Sequence, residues 1–223
     1  MAMSIKLTYF DIQGVAEKVR LALVLNGIPF EDERISREQW ASLKPTAKYG
    51  QLPLMTIDGG EPISQSDAML RYVGRLGDSK LYPRDAASEL RIDEVVGLAG
   101  DLDRAWLPRL MVSLMPTTLG HPEKFGETSE GQEVIRKVRT DFVENDLPKF
   151  LTYFTSILES NGNAFFCGPN PTIADCVILP QLARFRAGFI DHVPTTCLDG
   201  FPVIIAWIDR MMAIPEVAAW YRK

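Results

Sequence analysis

The first 80 residues alternate short apolar runs with helical patterns. "IKLTYF" at 5–10 predicts a strand, and apolar residues at three- and four-residue spacing over 15–26 predict a helix. Gly27 follows, where a left-handed residue commonly ends a helix. "IPFEDERI" at 28–35 predicts a second strand, and Asp58-Gly59-Gly60 between two apolar runs indicates a hairpin turn. This order describes a small mixed sheet with helices packed on it.

Beyond residue 80 the pattern becomes wholly helical. Apolar residues at three- and four-residue spacing predict helices over 88–115, about 131–160, 172–188 and 201–221. The stretch "MPTTLGHPEKFGETSEG" contains Pro and Gly and predicts a loop between the first two helices. We therefore expect an α/β domain over residues 1–79, a linker over 80–87 and an all-helical domain over 88–223.

The composition is that of an ordinary soluble globular protein. Of 223 residues, 46% are hydrophobic and 24% are charged, which is enough to form a sizeable core. The net charge of -5 comes without long runs of either sign, so we expect no nucleic-acid partner. No stretch reaches the roughly 20 apolar residues of a membrane span, and the start "MAMSIKLTYF" does not resemble a secretory signal. We expect a cytoplasmic protein without a membrane partner.

The sequence contains few cysteine and histidine residues that could bind a metal or form disulfides. Cys167, Cys176 and Cys197 are odd in number and form no Cys-x-x-Cys pattern. The chain contains two histidines, His121 and His192, so zinc ligands are scarce. We predict no metal site, and an enzyme of this composition would take its chemistry from a small molecule.

Two features of the first domain suggest a ligand site. Tyr9 lies where the first strand gives way to a helix, although a tyrosine at a strand end often only half-buries its ring. Leu52-Pro53 precedes a strand, where a proline is tolerated without any further role. A cis bond there would turn the Leu52 backbone groups outward to pair with an extended peptide.

The segment "ISQSDAML" at 63–70 adds a third feature. Ser64 or Ser66 can cap the helix that follows, with Asp67 in its first turn. The same helix start presents free N–H groups and a positive dipole end that suit a carboxylate. The combined pattern is stronger evidence than any single feature, and it consists of Tyr9, Trp40, Lys44, Gln51-Leu52-Pro53 and Gln65-Ser66.

The sequence resembles the cytosolic glutathione transferases, and most closely their tyrosine-type sigma class, which includes the glutathione-dependent prostaglandin D synthases. The resemblance covers nearly the whole chain, in "KLTYF", "AEKVRLAL", "GQLPLMTIDG", "SQSDAMLRYVGR", "NPTIADCVI" and "AIPEVAAWYRK". It implies a thioredoxin-like N-terminal domain with a mixed four-stranded sheet and helices, followed by an all-helical domain. It also implies glutathione as a co-substrate, a homodimer and a role in detoxification.

The resemblance assigns glutathione contacts to individual residues. Tyr9 would donate a hydrogen bond to the glutathione sulfur and favour the thiolate, the form that attacks electrophiles. Leu52, followed by a cis Pro53 and preceded by Gln51, would hold the cysteinyl backbone. The remaining contacts would be Gln65 and Ser66 to the γ-glutamyl carboxylate, Trp40 and Lys44 to the glycyl carboxylate, and Asp101 to the γ-glutamyl ammonium across the dimer interface. An exposed acidic residue such as Asp101 is otherwise simply solvated.

The pocket for the electrophile is expected between the two domains. By the resemblance, Phe10, Ile12, Trp106 and Met111 are candidates for its wall. An apolar residue at helical spacing is more often core than pocket wall, so we expect about half of these to line the site. They imply an apolar electrophile.

The sequence also departs from the sigma-class pattern. Members commonly carry arginine on both sides of the glycine after the tyrosine, whereas here the positions hold Gln13 and Val15. This weakens the expectation of strong thiolate activation, and Arg104 is a candidate for a compensating charge. Thr172 and Asp175 form a capping-box pattern, to which we give a structural role.

Three classes of function remain after this reading. The first is glutathione transfer to an electrophile, and the second is a glutathione-dependent isomerase or peroxidase on the same site, including prostaglandin isomerisation. The third is a non-catalytic binding or structural protein, since a fold does not fix a function. A structural protein has no physical need for Tyr9, Leu52-Pro53 and Gln65-Ser66 together, which argues against the third class.

Overall fold

The computed structural model describes residues 3–78 and 80–222. Its sheet has the order β2-β1-β3, with β1 (Ile5–Phe10) in the centre. Strand β2 (Glu31–Ile35) pairs with β1 in parallel and β3 (Leu54–Ile57) pairs antiparallel. The predicted mixed sheet is confirmed.

The fourth strand expected from the resemblance is reduced to a single bridge. Ile63 pairs with Met55 in antiparallel fashion through one bridge. The sheet has three strands among the described residues, and a full fourth strand does not form there. Pro62 has no N–H to donate to a ladder, and the chain enters a helix at Ser66. Little chain is therefore left between these two points for strand pairing.

Three helices accompany the sheet. Helix α1 (Glu17–Leu25) follows a 3-10 turn at Gly14–Ala16, and α2 (Arg37–Leu43) and α3 (Ser66–Gly74) follow later. The predicted left-handed cap of α1 is present, because Gly27 has φ +61° and donates its N–H to the Val24 carbonyl at 3.0 Å. Helices α1 and α3 pack against each other.

The rest of the described chain is helical, as the sequence predicts. Its helices are α4 (Ala86–Leu114), α5 (Ser129–Asp141), α6 (Leu147–Ser160), α7 (Ile173–Arg186), α8 (Pro202–Ala213) and α9 (Pro215–Tyr221). Helices α5 and α6 continue into each other through a π-helical segment, Phe142–Asp146. The single helix predicted over 201–221 is divided at Ile214, which has extended backbone before Pro215.

Helix α7 joins the two parts of the chain. It packs against α1, α3, α4 and α8, and nearly all of its residues are buried. The fully buried Asp175 carboxylate accepts hydrogen bonds from the Thr172 N–H at 2.8 Å, the Phe166 N–H at 3.2 Å and the Trp207 indole at 2.9 Å. These bonds are consistent with a structural role for Thr172 and Asp175.

Within residues 3–78 and 80–222, no helix combines the length and the apolar character needed to cross a membrane.

Candidate functional site

The pairing of β3 with β1 places the Leu52-Pro53 turn beside Tyr9. Thr8 is opposite Leu54 in the antiparallel register, so the chain before Leu54 runs alongside the end of β1. The Leu52-Pro53 bond is cis. Within the described part of the chain, neither the N–H nor the C=O of Leu52 has a backbone hydrogen-bond partner. Leu52 therefore presents one donor and one acceptor next to Tyr9.

The start of α3 lies against the same turn. The bridge between Met55 and Ile63 is antiparallel, so the residues after Ile63 run back beside Pro53. Gln65, which precedes the helix, has φ +79°, a backbone conformation that residues other than glycine rarely adopt. Such strained positions are concentrated at functional sites.

No side chain caps the first turn of α3 among the described residues. Gln65 is the N-cap and makes no capping bond, and the buried Ser64 hydroxyl has no hydrogen-bond partner in the described chain. The prediction that Ser64 or Ser66 caps this helix is therefore wrong. Because no side chain occupies it, the first turn offers N–H groups and its positive dipole end to an anion.

Helix α2 brings Trp40 and Lys44 to the same edge of the sheet. The Ser36 hydroxyl accepts the Gln39 N–H at 3.2 Å and starts the helix with a capping box. The Trp40 ring meets the Phe10 ring edge-on, with 6.5 Å between centroids. The Lys44 side chain approaches within 3.7 Å of where a Cβ on Gly50 would lie, so it lies beside the residue that precedes Gln51.

Tyr9 is buried, with 8% of its surface exposed. Burial raises the pKa of Tyr9, and the Val15 N–H and the Arg20 charge act against that rise without cancelling it. The phenol is therefore protonated at neutral pH and can donate its O–H to an anion. The Arg20 guanidinium carbon lies 5.8 Å from the centroid of the Tyr9 ring.

Arg20 is a buried charged residue beside Tyr9 that our sequence reasoning missed. It is fully buried, whereas Arg104, the candidate named from sequence, is exposed and pairs with Asp101 on its own helix. A signal was present, since Arg20 directly follows the apolar Val19 and lies three residues before the apolar Leu23 on α1. A charged residue at such a position needs a buried partner or a function.

The other candidates lie in different environments. Asp101 is exposed on α4. Phe10 and Met111 are partly buried, and Ile12 is 56% exposed directly after β1. Trp106 is 1% exposed and packs between Phe142 and Phe185, with ring centroids at 4.9 and 5.2 Å, which places it in the helical core.

The cysteines do not supply an activated thiol. Burial raises the pKa of Cys167 to about 12 and that of Cys197 to about 11, and it also raises the pKa of the fully buried Cys176. A thiol reacts as its thiolate, which such shifts suppress near neutral pH. The described residues also contain no group of three or more His, Cys, Asp or Glu that could hold a metal ion.

Comparisons with known proteins bear on the family of this chain. The family model described as "Glutathione S-transferase, N-terminal domain" matches residues 5–75, and the model "Glutathione S-transferase, C-terminal domain" matches residues 123–223. "Glutathione S-transferase 1" of Ascaris suum is 30% identical over 96% of this chain and 94% of that protein. "Hematopoietic prostaglandin D synthase" of Gallus gallus is 28% identical over 98% of this chain and 95% of that protein.

A solved structure, "Crystal Structure of the Glutathione S-transferase from Ascaris lumbricoides", superposes with a TM-score of 0.75. It is 29% identical and covers 98% of this chain and 96% of that one. A thioredoxin-like sheet domain followed by helices defines the class of this chain. The chain belongs to the glutathione S-transferase family, whose members are enzymes that use glutathione as a co-substrate.

Gly14 leaves room for the Tyr9 phenol, and we predict that Gly14→Ala displaces it. A Cβ on Gly14 would lie 2.6 Å from the Tyr9 hydroxyl, and the residue has φ +47°. Gly59→Ala is a matched control, because Gly59 has φ +70° but no neighbour within 4 Å of its Cβ position. Each change costs about 1–2 kcal/mol for positive φ, and Gly14→Ala adds about 1–3 kcal/mol for the clash.

Urea unfolding and glutathione conjugation assays on both variants test this prediction. We expect Gly14→Ala to be the less stable variant and to lose on the order of tenfold or more in kcat/KM, while Gly59→Ala keeps wild-type activity. Equal stability and equal activity of the two variants would show that Gly14 does not position Tyr9.

Proposed function

We propose that this protein conjugates the glutathione thiolate to apolar electrophiles, with Tyr9 stabilising the thiolate. One observation carries the proposal: the buried, protonated Tyr9 lies at the end of β1, where the strand register also brings the Leu52-Pro53 turn and the start of α3. Within the described chain, the Leu52 backbone groups have no backbone partner and no side chain caps α3. A thiol-bearing extended peptide with a carboxylate at each end would use all three features.

The proposed pose follows the shape of glutathione. Its cysteinyl backbone pairs with the N–H and C=O of Leu52, as an added strand would. The γ-glutamyl carboxylate binds at Gln65 and Ser66, where the N–H groups of the first turn of α3 attract an anion. The glycyl carboxylate reaches Lys44 and Trp40 near Gly50 and Gln51. The thiol then lies at the end of β1.

The hydrogen bond from Tyr9 is strong enough for its proposed task. A free thiol titrates at about 8.5, and one pKa unit corresponds to about 1.4 kcal/mol. A hydrogen bond to a charged acceptor contributes about 1.5–3 kcal/mol, which lowers the thiol pKa by roughly one to two units. The thiol proton leaves to solvent, and the sulfur lone pair forms the new bond to the electrophile as its leaving group departs. Tyr9 keeps its proton throughout.

The apolar character of the loop after Tyr9 favours an apolar electrophile. Ile12 and Val15 are 56% and 43% exposed, although they are apolar, and Val15 replaces a sigma-class arginine. We propose that Phe10, Ile12 and Met111 form the wall of the pocket and that Trp106 supports it from the helical core.

A glutathione-dependent isomerase is the second candidate. The observation in its favour is the relative named hematopoietic prostaglandin D synthase, which aligns with 98% of this chain. Isomerisation and peroxide reduction would use the same thiolate. Product analysis with an aryl halide, a hydroperoxide and a cyclic endoperoxide separates the three reactions.

We also propose that the protein is a sigma-class homodimer in the cytosol with a role in detoxification. In this arrangement Asp101 exchanges its contact with Arg104 on the same helix for the γ-glutamyl ammonium bound to the other subunit. Light scattering after size exclusion measures the assembly directly, and a monomeric mass would remove Asp101 from the proposed site.

Tyr9→Phe tests the proposed mechanism. Because the variant lacks the donor, we expect the pKa of bound glutathione to rise by about one to two units and kcat/KM at neutral pH to fall about 10–100-fold. Glutathione affinity should change less than about threefold, since the backbone and carboxylate contacts remain. Tyr153→Phe, a change on the exposed face of α6, is the control. An unchanged thiol pKa in Tyr9→Phe would exclude Tyr9 as the activating group.

Lys44→Ala tests the proposed orientation of the ligand. Calorimetry should show that the variant binds glutathione about 5–10-fold more weakly, which corresponds to about 1–1.4 kcal/mol. The same variant should bind γ-glutamylcysteine like the wild type, because that peptide lacks the glycyl carboxylate. Lys48→Ala, which removes a neighbouring lysine stacked on Tyr49, is the control. Equal losses for both peptides would mean that Lys44 does not contact the glycyl end.

A further inference from the structure

A buried ionic cluster holds the loop that follows Tyr9. Arg20 is fully buried, and its Nε donates to Asp32 at 2.8 Å. Its Nη1 donates to the Ile12 carbonyl at 2.7 Å and approaches the Gln13 carbonyl at 3.3 Å. Because two successive carbonyls bind one guanidinium, the loop between β1 and α1 is tied to α1. The position of this loop determines where the Val15 N–H meets the Tyr9 phenol.

Glu17 is the second buried member of the cluster. It is 1% exposed, and its Oε2 accepts from Arg20 Nη1 at 3.2 Å. Its Oε1 accepts from the indole N–H of Trp220, on α9, at 2.8 Å. These two residues are 203 positions apart in sequence. Glu17 therefore accepts from a donor on its own helix and from a donor on the C-terminal helix.

Other contacts keep Trp220 in this position. Its ring packs on Phe30, with 5.8 Å between centroids. Next to it on α9, burial raises the pKa of Tyr221, and the charge and hydrogen bond of Glu17 raise it further. Tyr221 therefore stays protonated and faces the same carboxylate. Two residues of the last turn of α9, Trp220 and Tyr221, therefore contact Glu17.

Loss of the indole donor would disturb the whole cluster. A buried carboxylate that loses one donor retains the desolvation penalty of the unpaired oxygen. Glu17 would then move toward water or toward another donor, and its contact with Arg20 would weaken. Arg20 also has one nitrogen, Nη2, that is buried without a hydrogen-bond partner in the described chain, so its placement depends on the bonds that remain.

We propose that Trp220 is a positioning residue for the thiolate site. By donating to Glu17 it fixes Arg20, and Arg20 fixes the loop carrying Ile12, Gln13 and Val15 beside the Tyr9 phenol. The inference rests on the proposed function of Tyr9. In this proposal the C-terminal helix acts on the glutathione site through Glu17 and Arg20.

Trp220→Phe and Trp207→Phe form a matched pair of test variants. Trp220→Phe removes the donor to Glu17 but keeps a ring against Phe30. Trp207→Phe also removes an indole donor to a buried carboxylate, but that carboxylate is Asp175 in the helical core. Both changes destabilise the protein, so a general loss of stability cannot explain a difference between them at the site.

Three readouts distinguish positioning from general stability, the last of them the pH dependence of kcat/KM. The first is hydrogen exchange of the amides of residues 12–15 in the ligand-free protein, and the second is the pKa of the thiol in the glutathione complex. For Trp220→Phe we expect exchange on the order of tenfold faster and a thiol pKa higher by roughly half a unit. The kcat/KM should fall at neutral pH and return to the wild-type value at alkaline pH, where the thiol ionises unaided. Trp207→Phe should leave all three unchanged.

The outcomes separate this inference from the proposed function. Wild-type loop exchange in Trp220→Phe, or the same acceleration in Trp207→Phe, would overturn the inference while a normal glutathione complex leaves the proposed function intact. If the wild-type protein binds no glutathione, the proposed function fails. The exchange rates then decide whether Trp220 fixes the loop.

Discussion

The candidate site depends on where the pairing between β1 and β3 stops. The last pair of the ladder is Thr8 with Leu54, and Pro53 is the residue that directly precedes Leu54 in the sequence. If the ladder continued, Phe10 and Leu52 would bond each other and no backbone group would remain for a ligand. Within the described chain, Leu52 keeps its backbone donor and acceptor unpaired at the sheet edge, and Pro53 beside it has no N–H to offer the ladder. A peptide ligand can then complete the pairing that the protein leaves open.

The electrostatics of the site follow from burial. The Tyr9 phenol lies in surroundings that disfavour its ionised form, so it remains a donor. The Val15 N–H and the Arg20 charge act in the opposite direction and partly offset the effect of burial on the pKa of Tyr9. The Arg20 charge lies 5.8 Å from the centroid of the Tyr9 ring and pairs with Asp32 and Glu17.

Much of the fold could be predicted from the sequence because its signals are local. Apolar residues at helical spacing predicted the helices. Gly27 predicted the end of α1, because the residue there has a left-handed backbone conformation that favours glycine. The missing fourth strand illustrates the limit, since its pairing depends on how Pro62 and the start of α3 share a short segment. The division of the last helix was readable from Pro215, but apolar periodicity runs through that break.

The site was predicted less completely because its residues act through distant partners. The resemblance supplied Tyr9, Leu52 and Gln65 as candidates, but the contacts of Arg20 become visible only when β2, α1 and α9 come together around it. The expected serine cap failed because Gln65 takes up a left-handed conformation that sequence patterns do not reveal. Trp106 has the spacing of a pocket residue, yet three aromatic rings pack around each other in the core instead.

The most direct test of the account is a pH titration of thiolate absorbance in the complex of the unmodified protein with glutathione. The account predicts a bound thiol with a pKa roughly one to two units below the value of about 8.5 for a free thiol. A bound thiol that titrates at about 8.5 would contradict the account, because Tyr9 would then contribute nothing to ionisation.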